Sequence, residues 1–262
     1  FNAWYAIADV SKGNVEFRME FSATAKTLEK FYTEENYIMT NAGYFNMATG
    51  VTGDFHVDKG VISPSTGMPT LRGTFGVDKN QVPSAVWAAR DADNVTYFYD
   101  SPMMNIEGKA VFDAVSANYP TTSHEWNPYY AMSAGPLLVK EGKIVVDLTK
   151  ENGTFVRNYE MIASDIFTDT SATPDRTAVG YTSDGKIVLF VCDGRITTSK
   201  GASILETAQI MKGLGCVGAV NFDGGGSTAM TLYGKRLNSL YSNTSGATEN
   251  RAVGSVMGFY KK

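Results

Sequence analysis

Cysteine and histidine are each present only twice in these 262 residues, and basic residues never cluster; each scarcity removes a class of function. Cys192 and Cys216 are too few for a disulfide framework. Neither has a histidine or second cysteine at metal-ligand spacing, so both read as buried, inert thiols. A Ser-His-Asp triad would need His56 or His124, and no G-x-S-x-G elbow accompanies them. Neither histidine has a ligand nearby in sequence, which argues against zinc. Lys and Arg number 23 against 27 Asp and Glu, a net charge of -4. With the cations scattered and Lys261-Lys262 no more than a short terminal pair, a nucleic-acid partner is not expected. No stretch approaches the roughly 20 apolar residues that span a bilayer. The sequence opens without Met, at Phe1, close to an expected strand. A leader would then already be removed, and secretion is permitted. The Tyr, Asn, Thr and Ser of its turns fit a secreted, periplasmic or cell-surface protein.

What is present points to sheet. Aromatics make up 12% and there are 26 glycines, the mark of strands joined by tight turns. No repeat, low-complexity tract or linker divides the chain, so one domain over residues 1–262 is expected. Strands are expected over Trp4–Val10, Val15–Phe21, Tyr37–Thr40, Val86–Ala89, Val95–Tyr99 and Ile144–Val146. A helix is expected after Val15–Phe21, with Thr24 as N-cap and Leu28, Phe31 and Tyr32 on one face. Ser116–Asn127 reads as a long loop.

The C-terminal third is sharper. Lys186–Asp193 is a near-continuous apolar run, as in a strand covered on both faces. Gly201–Leu214 places Ile204, Leu205, Ala208, Ile210 and Met211 in a helical stripe, with Gly213 and Gly215 as stop signals. Cys216–Asp223 is a second buried strand. The expectation is an α/β (mixed α+β) fold: a mixed twisted sheet with a parallel βαβ unit near the C-terminus, its strands possible neighbours, and helices packed on it. Asp193 and Asp223 would then share the sheet edge where such folds bind ligands. Cys192 and Cys216 would lie at opposite strand ends, roughly 20 Å apart and out of disulfide reach.

Four motifs could carry chemistry. In Asn221–Thr228, glycines 224, 225 and 226 follow a strand and precede another expected at Thr228–Tyr233; their N–H groups could form an anion-binding nest. A plain flexible turn is the alternative. Arg176 opens a strand that should pair with Lys186–Asp193 through Ser183-Asp184-Gly185, and it could clamp a phosphate or carboxylate; alone it would read as a surface arginine. Asn41-Ala42-Gly43-Tyr44-Phe45 combines an amide, a glycine and two aromatics at a strand end. Arg251 is the fourth and individually weak.

Taken together and in order, NAGYF (41–45), SAGP (133–136), RTAVG (176–180), CDGR (192–195), the helix with its Leu205-Glu206, NFDGGGST (221–228) and ENRAVG (249–254) resemble the phosphodiester glycosidase family, which has many bacterial secreted members. The resemblance runs over about residues 37–260 and is densest over 176–254, while 46–130 shows nothing matching. It implies a hydrolase that cleaves a sugar's anomeric carbon from a phosphodiester, with a small-molecule or glycan sugar-phosphate as partner. The chemistry then asks for a carboxylate plus cations and N–H donors around the phosphate. Asp223 is the candidate nucleophile or base and Asp193 the second carboxylate. Arg176 and Arg251 would grip the phosphate with the N–H groups of Gly224, Gly225 and Gly226. Ser227 and Thr228 would bond phosphate or sugar hydroxyls. Asn41 would hold a hydroxyl or orient a carboxylate, with Gly43 in its loop and Tyr44 or Phe45 as stacking face. Glu206 reads as a salt-bridge partner. No cofactor is expected, although two acids on one edge leave Ca²⁺ or Mg²⁺ open. A non-catalytic glycan or sugar-phosphate binding module on the same fold is the main alternative, and a structural adhesion domain a further one.

Overall fold

Both the alternating and the continuous apolar runs become strands in the computed structural model, which describes residues 1–53, 55–63, 71–101, 115–119, 121–146, 150–151, 154–155, 160, 173–242 and 248–262. In chain order the first strands are β1 (Ala3–Ala8), β2 (Val15–Lys26), β3 (Asn36–Asn41), β4 (His56–Asp58), β5 (Val61–Ile62), β6 (Arg72–Val77), β7 (Pro83–Arg90) and β8 (Thr96–Tyr99). Next come β9 (Tyr130–Ser133), β10 (Leu137–Lys140), β11 (Lys143–Ile144), β12 (Lys150–Glu151), β13 (Thr154–Phe155), β14 (Arg176–Thr182) and β15 (Ile187–Cys192). Helix α1 (Ile204–Gly213) precedes β16 (Cys216–Phe222), β17 (Met230–Leu232), β18 (Lys235–Arg236), β19 (Tyr241–Ser242), β20 (Thr248–Glu249) and β21 (Val253–Lys261).

Three sheets matter for the site. The first has order β1-β15-β14-β16-β10-β11, the second β18-β17-β3-β21-β2 and the third β5-β4-β9-β6-β7-β8. One buried cluster draws on all three: Val179, Leu189 and Phe222 from the first, Phe17, Met257 and Phe259 from the second, Phe75, Trp87 and Met132 from the third. The other face of the first sheet is covered by α1, where Ile204, Ala208 and Met211 meet Ala178, Val188 and Phe190. Among the described residues no helix is long and apolar enough to cross a membrane.

This architecture overturns the expected α/β fold with its parallel βαβ unit. Every ladder between the described strands is antiparallel. β14 pairs with β15 on one side and β16 on the other, so β15 and β16 run the same way without touching. The reason is local. The turn at Ser183-Asp184-Gly185 folds β14 and β15 into a hairpin, so β14 occupies the place beside β15. The crossover through α1 therefore passes over β14 to its far side. The start of α1 is closed by a reciprocal capping box, in which Ser203 accepts from the Glu206 N–H and Glu206 accepts from the Ser203 N–H. Glu206 is thus a cap, and among the described residues it makes no ion pair.

The helix expected after Thr24 is absent. β2 runs on to Lys26, pairing with β21 from Val15↔Lys261 to Lys26↔Val253, because Phe17 and Met19 alternate into the core and keep the period of two. Only a 3-10 turn, Leu28–Lys30, follows, and Leu28 and Phe31 bury against Val253 and Val256. The described part of Ser116–Asn127 is irregular, as read; Pro120 lies outside the described residues. Cys192 and Cys216 are free and buried. Cys192 faces Arg176 across the ladder and Cys216 faces Thr182, which separates them by about 20 Å of strand.

Candidate active site

Because β14 starts where β15 and β16 finish, one sheet edge collects Asp175-Arg176, Asp193-Gly194-Arg195 and Asp223–Thr228. The register makes this concrete: Arg176 lies opposite Cys192, and Thr177 lies between Val191 and Phe222. From the second sheet, β3 delivers Asn41 to the same edge and the approach to β21 delivers Arg251.

Asn41 is a hub. Its Oδ1 accepts from the Thr177 hydroxyl at 2.7 Å and from the Ala229 N–H at 3.1 Å. Its Nδ2 donates to the Asp223 carbonyl at 2.6 Å. With 1% exposure, its amide is occupied in tying β3, β14 and the glycine turn together, and it positions the main chain of Asp223.

Asp223 keeps some open surface, yet desolvation pushes its carboxyl up to about 6. The Ser227 hydroxyl, the Arg251 guanidinium and the Gly224 N–H pull the other way. Arg251 reaches it because Gly226 has no side chain: a Cβ there would stand 2.4 Å from the Arg251 Cζ. Gly225–Ser227 close a 3-10 turn. The Gly225 N–H donates to the Asp175 carbonyl at 2.9 Å and the Ser227 and Thr228 N–H groups to Gly224 and Gly225. The expected nest of N–H donors is therefore largely committed to the protein's own oxygens.

A second group of charges gathers around Asp175, whose carbonyl the Gly225 N–H holds. Asp175, 3% exposed, is raised to about 6 by burial and by the nearby Asp193, against the Gly194 N–H and Arg195. Asp193 is fully buried and accepts from the Ser239 N–H at 3.0 Å. Each of these carboxylates has one buried oxygen with no hydrogen-bond partner. Arg176 is itself 3% exposed; burial lowers it to about 10, and its Nε donates to the Ala202 carbonyl. The charges bearing on it are Tyr44, Cys192, Arg195 and Asp175, whereas those bearing on Asp223 reduce to Arg251. The structure thus unites Asp223, Ser227 and Arg251, and separately Asp175, Asp193 and Arg176.

The NAGYF loop sits differently from expectation. Gly43 packs on Met132, whose Cε would lie 2.1 Å from a Cβ at that position. The Tyr44 hydroxyl donates to the Gly135 carbonyl at 2.9 Å. Phe45 lies against the Leu28–Val256 cluster. Thr228 is buried, and its carbonyl accepts from Arg236 at 2.8 Å and from Asn238 at 3.1 Å.

Asp175, Arg195, Arg236 and Asn238 are the residues that sequence reasoning missed. Arg195 closes the CDGR motif and Asp175 directly precedes RTAVG, so a charge at a strand terminus was the available signal. Arg236 and Asn238 follow a hairpin and carry no local mark. Among the described residues no group of three or more His, Cys, Asp or Glu is arranged to hold a metal ion.

Buried carboxyls held near 6 beside arginines make a site able to exchange protons and hold an anion. The sequence profile of the phosphodiester glycosidase family matches residues 35–260, and the chain belongs to that family. It is 27% identical over 207 residues to N-acetylglucosamine-1-phosphodiester alpha-N-acetylglucosaminidase of Mus musculus and 26% identical over 208 residues to that of Homo sapiens. Each match covers 75% of this chain and 32% of the relative, so the chain spans about a third of their length. Among solved structures, a hypothetical protein from Synechocystis aligns over 99% of this chain and 59% of its own, with TM-score 0.67 and 17% identity. The zebrafish N-acetylglucosamine-1-phosphodiester alpha-N-acetylglucosaminidase catalytic domain aligns over 100% of this chain and 83% of its own, with TM-score 0.64 and 20% identity. At these identities the structural likeness speaks for the fold.

Proposed function

We propose that this chain hydrolyses the bond between a sugar's anomeric carbon and the oxygen of a phosphodiester. The observation that carries the reading is the Asp223 carboxyl, raised to about 6 by burial yet flanked by the Ser227 hydroxyl and the Arg251 guanidinium. A carboxyl at that value is mostly ionised at neutral pH and still basic enough to take a proton from water. Water attacks the anomeric carbon and gives its proton to Asp223. The carbon–oxygen bond breaks and its electron pair leaves with the phosphate, which departs as a phosphomonoester. Such a leaving group is acidic and needs little protonation, so cationic stabilisation matters more than a second acid. Asp175 is the second carboxyl in the same range. Family membership and the two mammalian relatives, named for action on an N-acetylglucosamine-1-phosphodiester, support the same reaction class. A secreted or cell-surface location belongs to this proposal, and recovery of the native protein from culture supernatant would check it.

The test is sugar release from a panel of sugar-1-phosphodiesters, starting with a chromogenic α-N-acetylglucosaminyl phosphodiester, beside an Asp223→Ala control. Release by the wild type and not by the variant supports the reading. Silence across the panel, with binding of the same compounds retained, would replace it with a sugar-phosphate binding module.

A further inference from the structure

We propose that Arg195, together with Arg251, takes the substrate's phosphate, with Arg176 left as an internal brace; this rests on the reaction proposed above.

Two consecutive glycines each accommodate an arginine. A Cβ on Gly226 would meet the Arg251 guanidinium, and a Cβ on Gly225 would lie 3.2 Å from Arg195 Nη2. Neighbouring Cα atoms are about 3.8 Å apart, so one short turn, directly after Asp223 in the chain, seats both guanidinium groups against adjacent residues. Arg195 and Arg251 come from separate segments, the connection from β15 to α1 and the approach to β21. A phosphodiester offers two charged non-bridging oxygens, and planar guanidinium groups match them with directed N–H pairs.

The backbone of Arg195 supplies an independent observation. Its φ is +56°, in the left-handed region, which a side chain bearing a Cβ adopts at a cost. Five other described non-glycine residues share that conformation: Lys59, Gln81, Asn94, Glu141 and Tyr233. Each lies in a hairpin between paired antiparallel strands, namely β4–β5, β6–β7, β7–β8, β10–β11 and β17–β18, where turn geometry demands it. Arg195 lies outside those five hairpins, at the foot of the short turn closed by the Ile196↔Ser199 bridge, where its N–H donates to the Lys200 carbonyl at 3.4 Å. Glycine would suit the conformation better, so the arginine is kept there against the local preference. Its exposure completes the contrast: Arg195 is exposed, whereas Arg176 is buried with Nε tied to Ala202.

The experiment compares wild type with Arg195→Gly and Arg195→Lys by calorimetric titration with inorganic phosphate, by thermal melting, and by kinetics on the chromogenic phosphodiester. Arg195→Gly is expected to weaken phosphate binding at least tenfold and to raise KM, while its Tm equals or exceeds that of the wild type. Arg195→Lys is expected to fall between the two, since the charge stays and the fork is lost. Unchanged phosphate affinity in Arg195→Gly would overturn the proposal, as would a Tm lowered by several degrees, which would make Arg195 a structural residue. Absence of phosphate binding by the wild type would overturn it too. The titration does not depend on turnover, so a wild type that binds phosphate through Arg195 but releases no sugar would remove the reaction and leave the binding site.

Discussion

Replacing Asp223 with asparagine removes a charge that the fold has pulled from water. The residue's ordinary carboxyl value of 3.8 rises to about 6 in the folded chain, chiefly through desolvation, which at about 1.36 kcal/mol per pH unit corresponds to roughly 3 kcal/mol. The sign follows from linkage. The folded state binds this proton more tightly than the unfolded state, so the stabilisation from protonation is complete below about 3.8 and is lost as pH rises through about 6. At pH 8 the wild type therefore carries an ionised, poorly solvated carboxylate that Asp223→Asn does not. Asparagine still offers an oxygen to the Ser227 hydroxyl and the Gly224 N–H. Arg251 loses one counter-charge, which offsets part of the gain, and keeps Glu249 at 3.6 Å. For a chain of this length about 1–3 kcal/mol corresponds to a rise in Tm of about 3–8 °C at pH 8, fading toward zero at pH 4, where both side chains are neutral. Sugar release should be abolished throughout. Melting curves of both proteins across pH 4–8 read this directly. A variant that is equally or less stable at pH 8, or one that gains as much at pH 4, would refute the claim that burial sets this carboxyl.

Asn41→Ala removes three side-chain hydrogen bonds, to Thr177, Ala229 and Asp223. At about 1 kcal/mol each, urea unfolding should show a loss of roughly 3 kcal/mol with an unchanged m-value, and turnover should fall because Asp223 is no longer held. A stable but inactive variant would instead put Asn41 in contact with substrate. Cys192 and Cys216 are buried and pushed up to about 12 by desolvation. A thiol reagent at pH 8 should find neither in the native protein and both after denaturation; modification of the folded chain would show that the core admits reagent.

Local physics was legible where one periodicity had no rival. Lys186–Asp193 and Cys216–Asp223 are apolar throughout, and residues 201–214 carry a helical stripe between glycines, so β15, α1 and β16 appeared nearly in place. The hairpin from β14 into β15 followed from Ser183-Asp184-Gly185. The charge-bearing strand ends Asp193, Asp223 and Arg176 were likewise readable, because polar residues that close buried strands must emerge at a sheet edge. The stretch after Thr24 was ambiguous, since Leu28, Phe31 and Tyr32 fit a helical face as well as a turn. Pairing with β21 decided it.

Strand order lay beyond reach, because strand–helix–strand spacing is the same whether or not another strand sits between. Only the assembled sheet shows β14 in that place, which turns a parallel unit into an antiparallel sheet while leaving Asp193 and Asp223 on one edge. Tertiary packing also divided the arginines. Arg176 is buried with its Nε on the Ala202 carbonyl, and Gly225 and Gly226 admit Arg195 and Arg251, because which side chain fills the space above a glycine depends on segments distant in the chain. The sequence by itself determined the inventory of carboxylates, arginines and glycines and the strand ends that carry them; the tertiary structure alone decided which are buried, which meet and which face solvent, since burial and contact are properties of the packed sheets and of no single segment.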